Sequence, residues 1–112
     1  SGPLVLTIPS EFMGRGDEEL GYILIRAFFH TLGETQPSPE IIIFLNSGVK
    51  LTVEGSPVLE DLRSLSDKGI QILVCGTCLN QYENKDKVAV GEVSNMYAIA
   101  EALLQAGKVV SL

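Results

Sequence analysis

Short apolar segments alternate with longer amphipathic segments along most of this chain. Five segments are rich in β-branched residues and leucine, and they lie at residues 4–8, 40–45, 70–74, 88–90 and 108–112. Runs of this length and composition predict β-strands. The run at 41–45, Ile-Ile-Ile-Phe-Leu, has no polar position, which is typical of a strand covered on both faces.

Three intervening segments repeat apolar residues at intervals of three and four, which predicts amphipathic helices. They are expected over residues 17–33, 56–69 and 94–107, each ending at a glycine, with Ser56-Pro57 and Ser94 as the caps of the second and third. A short helical turn and a loop are expected at 76–87. The positions predicted to be buried are Leu20, Ile23, Leu24, Ala27, Phe28 and Leu32, then Val58, Leu59, Leu62 and Leu65, then Met96, Ile99, Ala100, Leu103 and Leu104.

The alternation of strands and helices predicts the fold class. Parallel strands need helical crossovers, so a mainly parallel sheet with helices on both faces is expected. We therefore predict an α/β fold, a three-layer α/β/α domain of about five strands, similar to flavodoxin-like folds. Residues 4–112 are expected to form this single domain. The opening Ser1-Gly2-Pro3 resembles a remnant of cloning, which predicts a domain cut from a longer two-domain protein.

Composition and charge exclude several classes of protein. Apolar residues make up 46% of the chain, which excludes a disordered polar chain. The longest apolar runs are far shorter than a bilayer crossing requires, so no membrane partner is expected. The formal net charge is −6. Because nucleic-acid binders normally carry a basic surface, nucleic acid is not an expected partner. Backbone amides and one lysine could still bind a small anion.

The chain has two cysteines, Cys75 and Cys78, and a single histidine, His30. A pair this close cannot cross-link a secreted scaffold usefully, so a cytoplasmic location with reduced thiols is expected. A structural zinc site needs four ligands, which one such pair and one histidine do not supply. We therefore expect no metal and no cofactor, and we expect His30 to be a surface or capping residue.

Candidate chemistry gathers at one edge of the predicted sheet. In open parallel sheets, ligands bind beyond the carboxyl ends of the strands. Four segments are expected to meet there, at residues 14–17, 46–50, 75–78 and 91–95. The candidate ligand-binding residues that they contribute are Gly14, Arg15, Gly16, Asn46, Ser47, Gly48, Lys50, Ser94 and Asn95.

Each of these ligand-binding candidates also has a structural interpretation. The glycine-rich 13–17 loop could wrap an anion, but it matches no phosphate-binding motif and could equally be a flexible turn. The 46–50 segment is a tight turn or the polar wall of a pocket. Ser94 and Asn95 are expected to act first as helix caps and second as pocket residues.

The motif Val-Cys-Gly-Thr-Cys-Leu at 74–79 carries the strongest candidates for catalysis. Cys75 is expected at the end of a strand, where outward-pointing N–H groups favour the thiolate, and Lys50 could add positive charge. The thiolate is the nucleophilic form. Two alternatives stay open, namely a pair of buried small apolar residues and a dithiol that cycles to a disulfide.

Four blocks of sequence, in order, resemble the DsrE/DsrF-like family. They are Met-Gly-Arg-Gly-Asp-Glu-Glu-Leu-Gly at 13–21, Phe-Leu-Asn-Ser-Gly-Val-Lys at 44–50, Leu-Val-Cys-Gly-Thr-Cys-Leu at 73–79 and Val-Gly-Glu-Val-Ser-Asn-Met-Tyr at 90–97. The resemblance covers nearly the whole chain. It is strongest to the branch of the family associated with selenium metabolism.

The resemblance implies a sulfur-handling protein. By its place at the strand end, Cys75 corresponds to the family's sulfur-carrying cysteine, which holds sulfur as a persulfide, and Cys78 is an extra thiol. The implied partners are a sulfur donor or acceptor protein, with a TusA-like carrier domain favoured, and further copies of the chain in a dimer, trimer or hexamer.

Three functions remain open on this basis. The leading hypothesis is a sulfur or selenium relay in which Cys75 accepts the atom, Gly14 to Gly16, Asn46 and Lys50 stabilise the charge, and Cys78 either releases the atom by disulfide formation or is idle. The second is a non-catalytic binding or oligomerisation domain that supports a fused carrier domain. The third is an anion or nucleotide site at the same edge.

Overall fold

The computed structural model describes residues 2–112, in which strands and helices alternate along the chain. The strands are Leu4–Ile8 (β1), Ile41–Phe44 (β2), Gln71–Cys75 (β3), Glu92–Ser94 (β4) and Lys108–Ser111 (β5). The α-helices are Glu18–Leu32 (α1), Leu59–Asp67 (α2), Gly76–Gln81 (α3) and Met96–Gln105 (α4). Two 3-10 helices cover Asn46–Thr52 and Lys85–Lys87. Ser1, part of the predicted cloning remnant, lies outside the described residues.

The five strands form one sheet in the order β4-β3-β2-β1-β5, and every neighbouring pair is parallel. The predicted α/β fold class is therefore confirmed. The chain adds β2, β3 and β4 stepwise in one direction and then returns across the sheet to β5. Because such crossovers are right-handed, the return reverses the face on which the connecting helix lies.

Helices accordingly cover both faces of the sheet. On one face, the Phe29 ring of α1 stacks on the Phe44 ring of β2 with 5.8 Å between centroids. On the other face, α4 lies over the side chains at the alternate strand positions. Ala98 and Ala102 of α4 line a groove there with Ile41 of β2 and Leu73 of β3. The fully buried side chains lie between these layers and include Ile8, Ile25, Ile42, Ile43, Leu62, Leu79 and Ile99.

The predicted fourth strand at 88–90 is wrong, because β4 begins at Glu92. Val88 instead forms an isolated antiparallel bridge with Val53, and the N–H groups of Ala89 and Val90 donate to the Thr52 carbonyl. The sheet edge explains the error. An edge strand has a neighbour on one side only, so β4 needs no continuous apolar run. Because it begins with the exposed Glu92, the apolar pattern does not predict it.

The predicted buried face of α1 is wrong at most of its positions. The buried residues are Gly21, Ile25 and Phe29, whereas the predicted Leu20, Ile23, Leu24 and Ala27 are exposed. The predicted Phe28 and Leu32 are half-buried and pack against the core. Apolar residues occupy most of the circumference of this helix, so the spacing alone fits two different faces. Packing of Phe29 on Phe44 selects the face that turns inward.

The helix predicted over residues 94–107 is shorter at both ends, because α4 covers Met96–Gln105. Ser94 is the last residue of β4, and Asn95 is the cap, its Oδ1 accepting the N–H of Ala98 at 2.9 Å. Ile99 is the buried residue of α4, and Met96 and Leu104 are exposed. Within residues 2–112, α4 is the one helix on this face, and Met96, Tyr97 and Leu104 at its flanks stay in solvent.

The second helix begins slightly later than the sequence suggests. Ser56 Oγ accepts the N–H of Val58 at 3.2 Å, and α2 starts at Leu59. Its predicted buried residues Val58, Leu62 and Leu65 are confirmed, while Leu59 is half-buried. Across residues 2–112, no helix is long and apolar enough to cross a membrane.

Candidate functional site

Cys75 is the last residue of β3, as the sequence predicts, and it also caps α3. Its side chain is buried, with 2% of its surface exposed. The Cys75 sulfur accepts the backbone N–H of Cys78 at 3.4 Å. Burial between β3 and α3 follows from the position of Cys75 where the apolar strand turns directly into the helix.

Cys78 lies one turn further along α3 and is only half-buried. Its thiol donates to Cys75 Sγ, and the two sulfurs are 3.0 Å apart. Both cysteines are free thiols. A disulfide bond is about 2.05 Å long, so an approach of about 1 Å would link the two sulfurs. The CxxC spacing therefore gives two sulfurs within reaction distance of each other, of which Cys78 is the more accessible.

Asn46 reaches the same site from the end of the neighbouring strand β2. It follows β2, and its backbone N–H donates to Cys78 Sγ at 3.1 Å. Asn46 has φ +48°, in the left-handed region, which asparagine tolerates better than most residues. This turn lets the 3-10 helix Asn46–Thr52 begin just after β2, and the Asn46 N–H points at Cys78 Sγ.

The segment after Asn46 is held against β1 by a close backbone approach. A Cβ at Gly48 would lie 2.0 Å from the carbonyl oxygen of Ile8, so only glycine fits there. The Leu45 N–H donates to the same carbonyl at 3.0 Å. Gly48 thus serves the placement of the 3-10 helix, and its predicted role toward a ligand stays a prediction.

Tyr82 and Glu11, which the sequence did not predict as site residues, complete the polar surroundings of the thiol pair. Tyr82 Oη donates to Asn46 Oδ1 at 2.9 Å. Lys50 Nζ lies 4.4 Å from the centroid of the Tyr82 ring and 3.5 Å from Glu11 Oε2. Lys50 is thus engaged by a tyrosine ring and a carboxylate. The spacing contained a signal for Tyr82, because residues four apart on a helix share a face, and Tyr82 is four after Cys78.

The environment raises the pKa of the Cys78 thiol above its ordinary value. Burial is the largest cause, and the hydrogen bond to Cys75 acts in the same direction. The Asn46 N–H opposes both, because it stabilises the thiolate and lowers the pKa. Cys78 therefore holds its proton at neutral pH more firmly than an exposed cysteine would, and the Asn46 amide is the main local contact that favours its release.

The structure brings some of the other predicted residues to this edge and leaves others apart. Ser47 Oγ accepts the N–H of Glu11 at 3.2 Å, and Ser94 lies beside Cys75 in the register of β3 and β4. Asn95 is engaged as the cap of α4. Their predicted roles toward a ligand remain predictions.

The glycine-rich loop lies away from other chain segments at its two glycines. Gly14 and Gly16 have positive φ, and beyond the adjacent residues no atom lies within 4 Å of a Cβ built on either one. Arg15 between them is exposed. An anion-binding role for this loop stays a prediction.

No metal-binding cluster was found among residues 2–112, since no three His, Cys, Asp or Glu side chains come close enough to share an ion. His30 lies on α1, where its Nδ1 is 3.5 Å from Asp61 Oδ1 of α2.

Fold and site together define a parallel α/β domain that carries a close thiol pair at the carboxyl edge of its sheet. The sequence model of the DsrE/DsrF-like family matches residues 11–112. The chain therefore belongs to the DsrE/DsrF-like family. Among curated proteins, no significant match to the chain was found.

Solved structures with the same fold are distant in sequence. The protein of unknown function MTH1491 from Methanobacterium thermoautotrophicum is similar with a TM-score of 0.69 at 16% identity, over 100% of both chains. The ychN protein from E. coli is similar with a TM-score of 0.66 at 15% identity, also over 100% of both chains. The conserved protein of unknown function BT1422 from Bacteroides thetaiotaomicron has a TM-score of 0.66 at 15% identity, over 98% of this chain and 95% of that one. At these identities the likeness concerns the fold alone.

Proposed function

We propose that this domain is a sulfur relay that carries sulfur as a cysteine persulfide on the Cys75–Cys78 pair. One observation carries the proposal. The two free thiols lie 3.0 Å apart at the carboxyl edge of the sheet, and a backbone N–H is aimed at the more accessible sulfur. Membership of the DsrE/DsrF-like family supports a sulfur cargo over other thiol chemistry.

The relay consists of two exchange steps. In the first, the Cys78 thiolate attacks the terminal sulfur of a donor persulfide, R–S–SH. A new S–S bond forms on Cys78, and the donor leaves as the thiolate R–S⁻. In the second, an acceptor thiolate attacks the terminal sulfur on Cys78, takes it as a persulfide and restores the Cys78 thiolate. Neither step needs an external oxidant.

Accessibility favours Cys78 as the sulfur that meets the donor. Cys75 is 2% exposed, so a protein-bound persulfide reaches Cys78 first. This reverses the order of roles expected from the sequence, in which Cys75 is the acceptor. Cys75 then serves as the second thiol. Its thiolate can attack the inner sulfur of the Cys78 persulfide, which forms the Cys75–Cys78 disulfide and releases HS⁻.

Mass spectrometry after incubation with a sulfane-sulfur donor tests the relay. The wild-type chain should gain about 32 Da per sulfur accepted, as for any cysteine persulfide. We expect Cys75→Ser to keep the adduct on Cys78 and Cys78→Ser to lose it. The opposite pattern would restore the order expected from the sequence, and the absence of any adduct on wild type would refute the relay.

The identity of the cargo and partners forms the finer part of this proposal. The four sequence blocks resemble those of the C-terminal domain of the selenium-metabolism protein YedF, and this resemblance favours a cytoplasmic role in sulfur or selenium transfer. The proposed partner is a TusA-like carrier domain, with the chain itself assembled as a homo-oligomer. Mixing purified chain with a TusA-like domain bearing a labelled persulfide should move the label to the chain.

A second candidate is a non-catalytic binding or oligomerisation domain. The exposed Leu20, Ile23 and Leu24 of α1 favour it, because an apolar helix surface of this kind normally contacts another protein. This function predicts a stable oligomer whose thiols do not exchange sulfur. Rapid and stoichiometric persulfide transfer through Cys78 would exclude it, whereas an inert thiol pair in a well-formed oligomer would support it.

A further inference from the structure

Asn46 is bound at two points by a single helix. Cys78 and Tyr82 lie one turn apart on α3 and its C-terminal cap, and the Tyr82 N–H donates to the Cys78 carbonyl at 3.2 Å. From this face, Cys78 Sγ accepts the Asn46 backbone N–H at 3.1 Å, while Tyr82 Oη donates to Asn46 Oδ1 at 2.9 Å. The backbone and the side chain of Asn46 are therefore fixed by two residues of known relative position.

The left-handed backbone conformation of Asn46 needs support, and the Tyr82 contact with its side chain supplies it. A residue with a Cβ is disfavoured at φ +48°, so Asn46 would relax toward negative φ if nothing held it. The segment after Asn46 is fixed against β1 at Gly48, so such a rotation would be taken up by the Leu45–Asn46 peptide and would turn its N–H away from Cys78 Sγ. The Tyr82 hydroxyl opposes the rotation because it holds the amide oxygen of the same residue.

Tyr82 is itself held in place by its neighbours. Lys50 Nζ lies over its ring at 4.4 Å, and the same ammonium group is 3.5 Å from Glu11 Oε2. Lys50, from the 3-10 helix Asn46–Thr52, thus contacts the ring, and Glu11 in the loop after β1 holds Lys50 in place. The tyrosine has a defined orientation toward Asn46 before any substrate binds.

We propose that Tyr82 is a positioning residue for the Cys78 thiolate, and that its hydroxyl holds Asn46 in the left-handed conformation that aims the Asn46 N–H at Cys78 Sγ. The inference rests on the proposed function only in naming Cys78 as the reacting sulfur. Thiol alkylation measures the effect without any sulfur cargo, so failure of the relay and failure of this inference are separate results.

The test must change the Tyr82 hydroxyl and leave the other titratable and charged groups in place. These are Cys75 of β3, which contacts Cys78 directly, Lys50, which contacts the Tyr82 ring, and Glu11, which contacts Lys50. Tyr82→Phe keeps the aromatic ring under Lys50 and removes only the hydroxyl. Tyr97→Phe removes the hydroxyl of an exposed tyrosine on α4 and is the matched control.

The experiment follows alkylation of the reduced chain by iodoacetamide across pH, with tandem mass spectrometry assigning the adduct to Cys78. We expect Tyr82→Phe to raise the midpoint of the Cys78 profile by about 0.5–1 pH unit, which is about 3- to 10-fold slower labelling at neutral pH. Tyr97→Phe should match wild type. Equal midpoints for Tyr82→Phe and Tyr97→Phe would overturn the inference.

Substitution of Asn46 itself separates positioning from general structural support. Glycine adopts positive φ without strain, so Asn46→Gly should keep the N–H on Cys78 and leave the midpoint near that of wild type. Asn46→Ala should raise the midpoint as Tyr82→Phe does. In the Asn46→Gly background, Tyr82→Phe should have no further effect, and a full additional shift there would show that Tyr82 acts by another route.

Discussion

The backbone N–H of Asn46 donates to the sulfur of Cys78 at 3.1 Å, although 32 positions separate the two residues in the chain. This contact joins the end of β2 to the helix that follows β3. It exists because neighbouring parallel strands end at the same sheet edge, and because Asn46 turns back directly after its strand. It also places a hydrogen-bond donor at Cys78, the more accessible of the two thiols.

The pH dependence of Cys78 reactivity follows from its surroundings. Burial and the hydrogen bond to Cys75 raise the pKa of the thiol, so the alkylation midpoint of wild type should lie above that of an ordinary exposed cysteine. Cys75→Ala removes the hydrogen bond and the neighbouring charge, and should lower the midpoint. A higher midpoint in Cys75→Ala would contradict the assigned causes.

The same shift has a consequence for stability. A thiol with a pKa raised by folding stabilises the native state at pH values below the ordinary cysteine pKa. That contribution is lost as the pH rises through the folded-state value. Urea denaturation of wild type and Cys78→Ser between neutral and alkaline pH should therefore show a steeper loss for wild type. Parallel curves for the two proteins would argue against a raised pKa.

The inward face of α1 can be tested by two neighbouring residues. Ile25 is fully buried, whereas Leu24 is 42% exposed. Ile25→Ala should lower the free energy of unfolding by about 2–5 kcal/mol, and Leu24→Ala by less than about 1 kcal/mol, measured in dilute solution by urea denaturation. Equal losses at both positions would mean that the exposed face is also buried in the folded chain.

The close approach at Gly48 predicts a large difference between two glycines. Gly48→Ala places a methyl group 2.0 Å from the Ile8 carbonyl oxygen and should destabilise the fold by about 2–3 kcal/mol. Gly33, the control, has helical φ and only ordinary contacts around an added Cβ. Gly33→Ala should be neutral or slightly stabilising. Thermal unfolding of both variants checks the contrast, and a neutral Gly48→Ala would refute the close approach of Gly48 to Ile8.

Capping of α4 distinguishes Asn95 from Ser94. The Asn95 side chain accepts the Ala98 N–H at 2.9 Å, so Asn95→Ala should cost about 1 kcal/mol. Ser94→Ala, at the end of β4, should cost less. Denaturant titrations of the two variants provide the measurement, and a larger loss at Ser94 would restore the cap expected from the sequence.

Much of the fold was predictable because local patterns specify it. The β1 bounds, the position of Cys75 at the end of β3 and the glycine stop after α2 all follow from runs of apolar residues and from turn chemistry. The alternation of strands and helices gave the parallel α/β class. The missed strand was β4, where the edge position removes the need for an apolar run.

What the sequence determined by itself is therefore most of the strands and helices, the parallel sheet and the edge at which the two cysteines end their strand and begin their helix. The tertiary structure decided which sulfur is accessible, which face of α1 is buried and which residues surround Cys78. These depend on contacts between distant segments, such as Phe29 with Phe44 and Tyr82 with Asn46. Periodicity reports only that a segment has an apolar side, whereas burial depends on what the rest of the chain places against it.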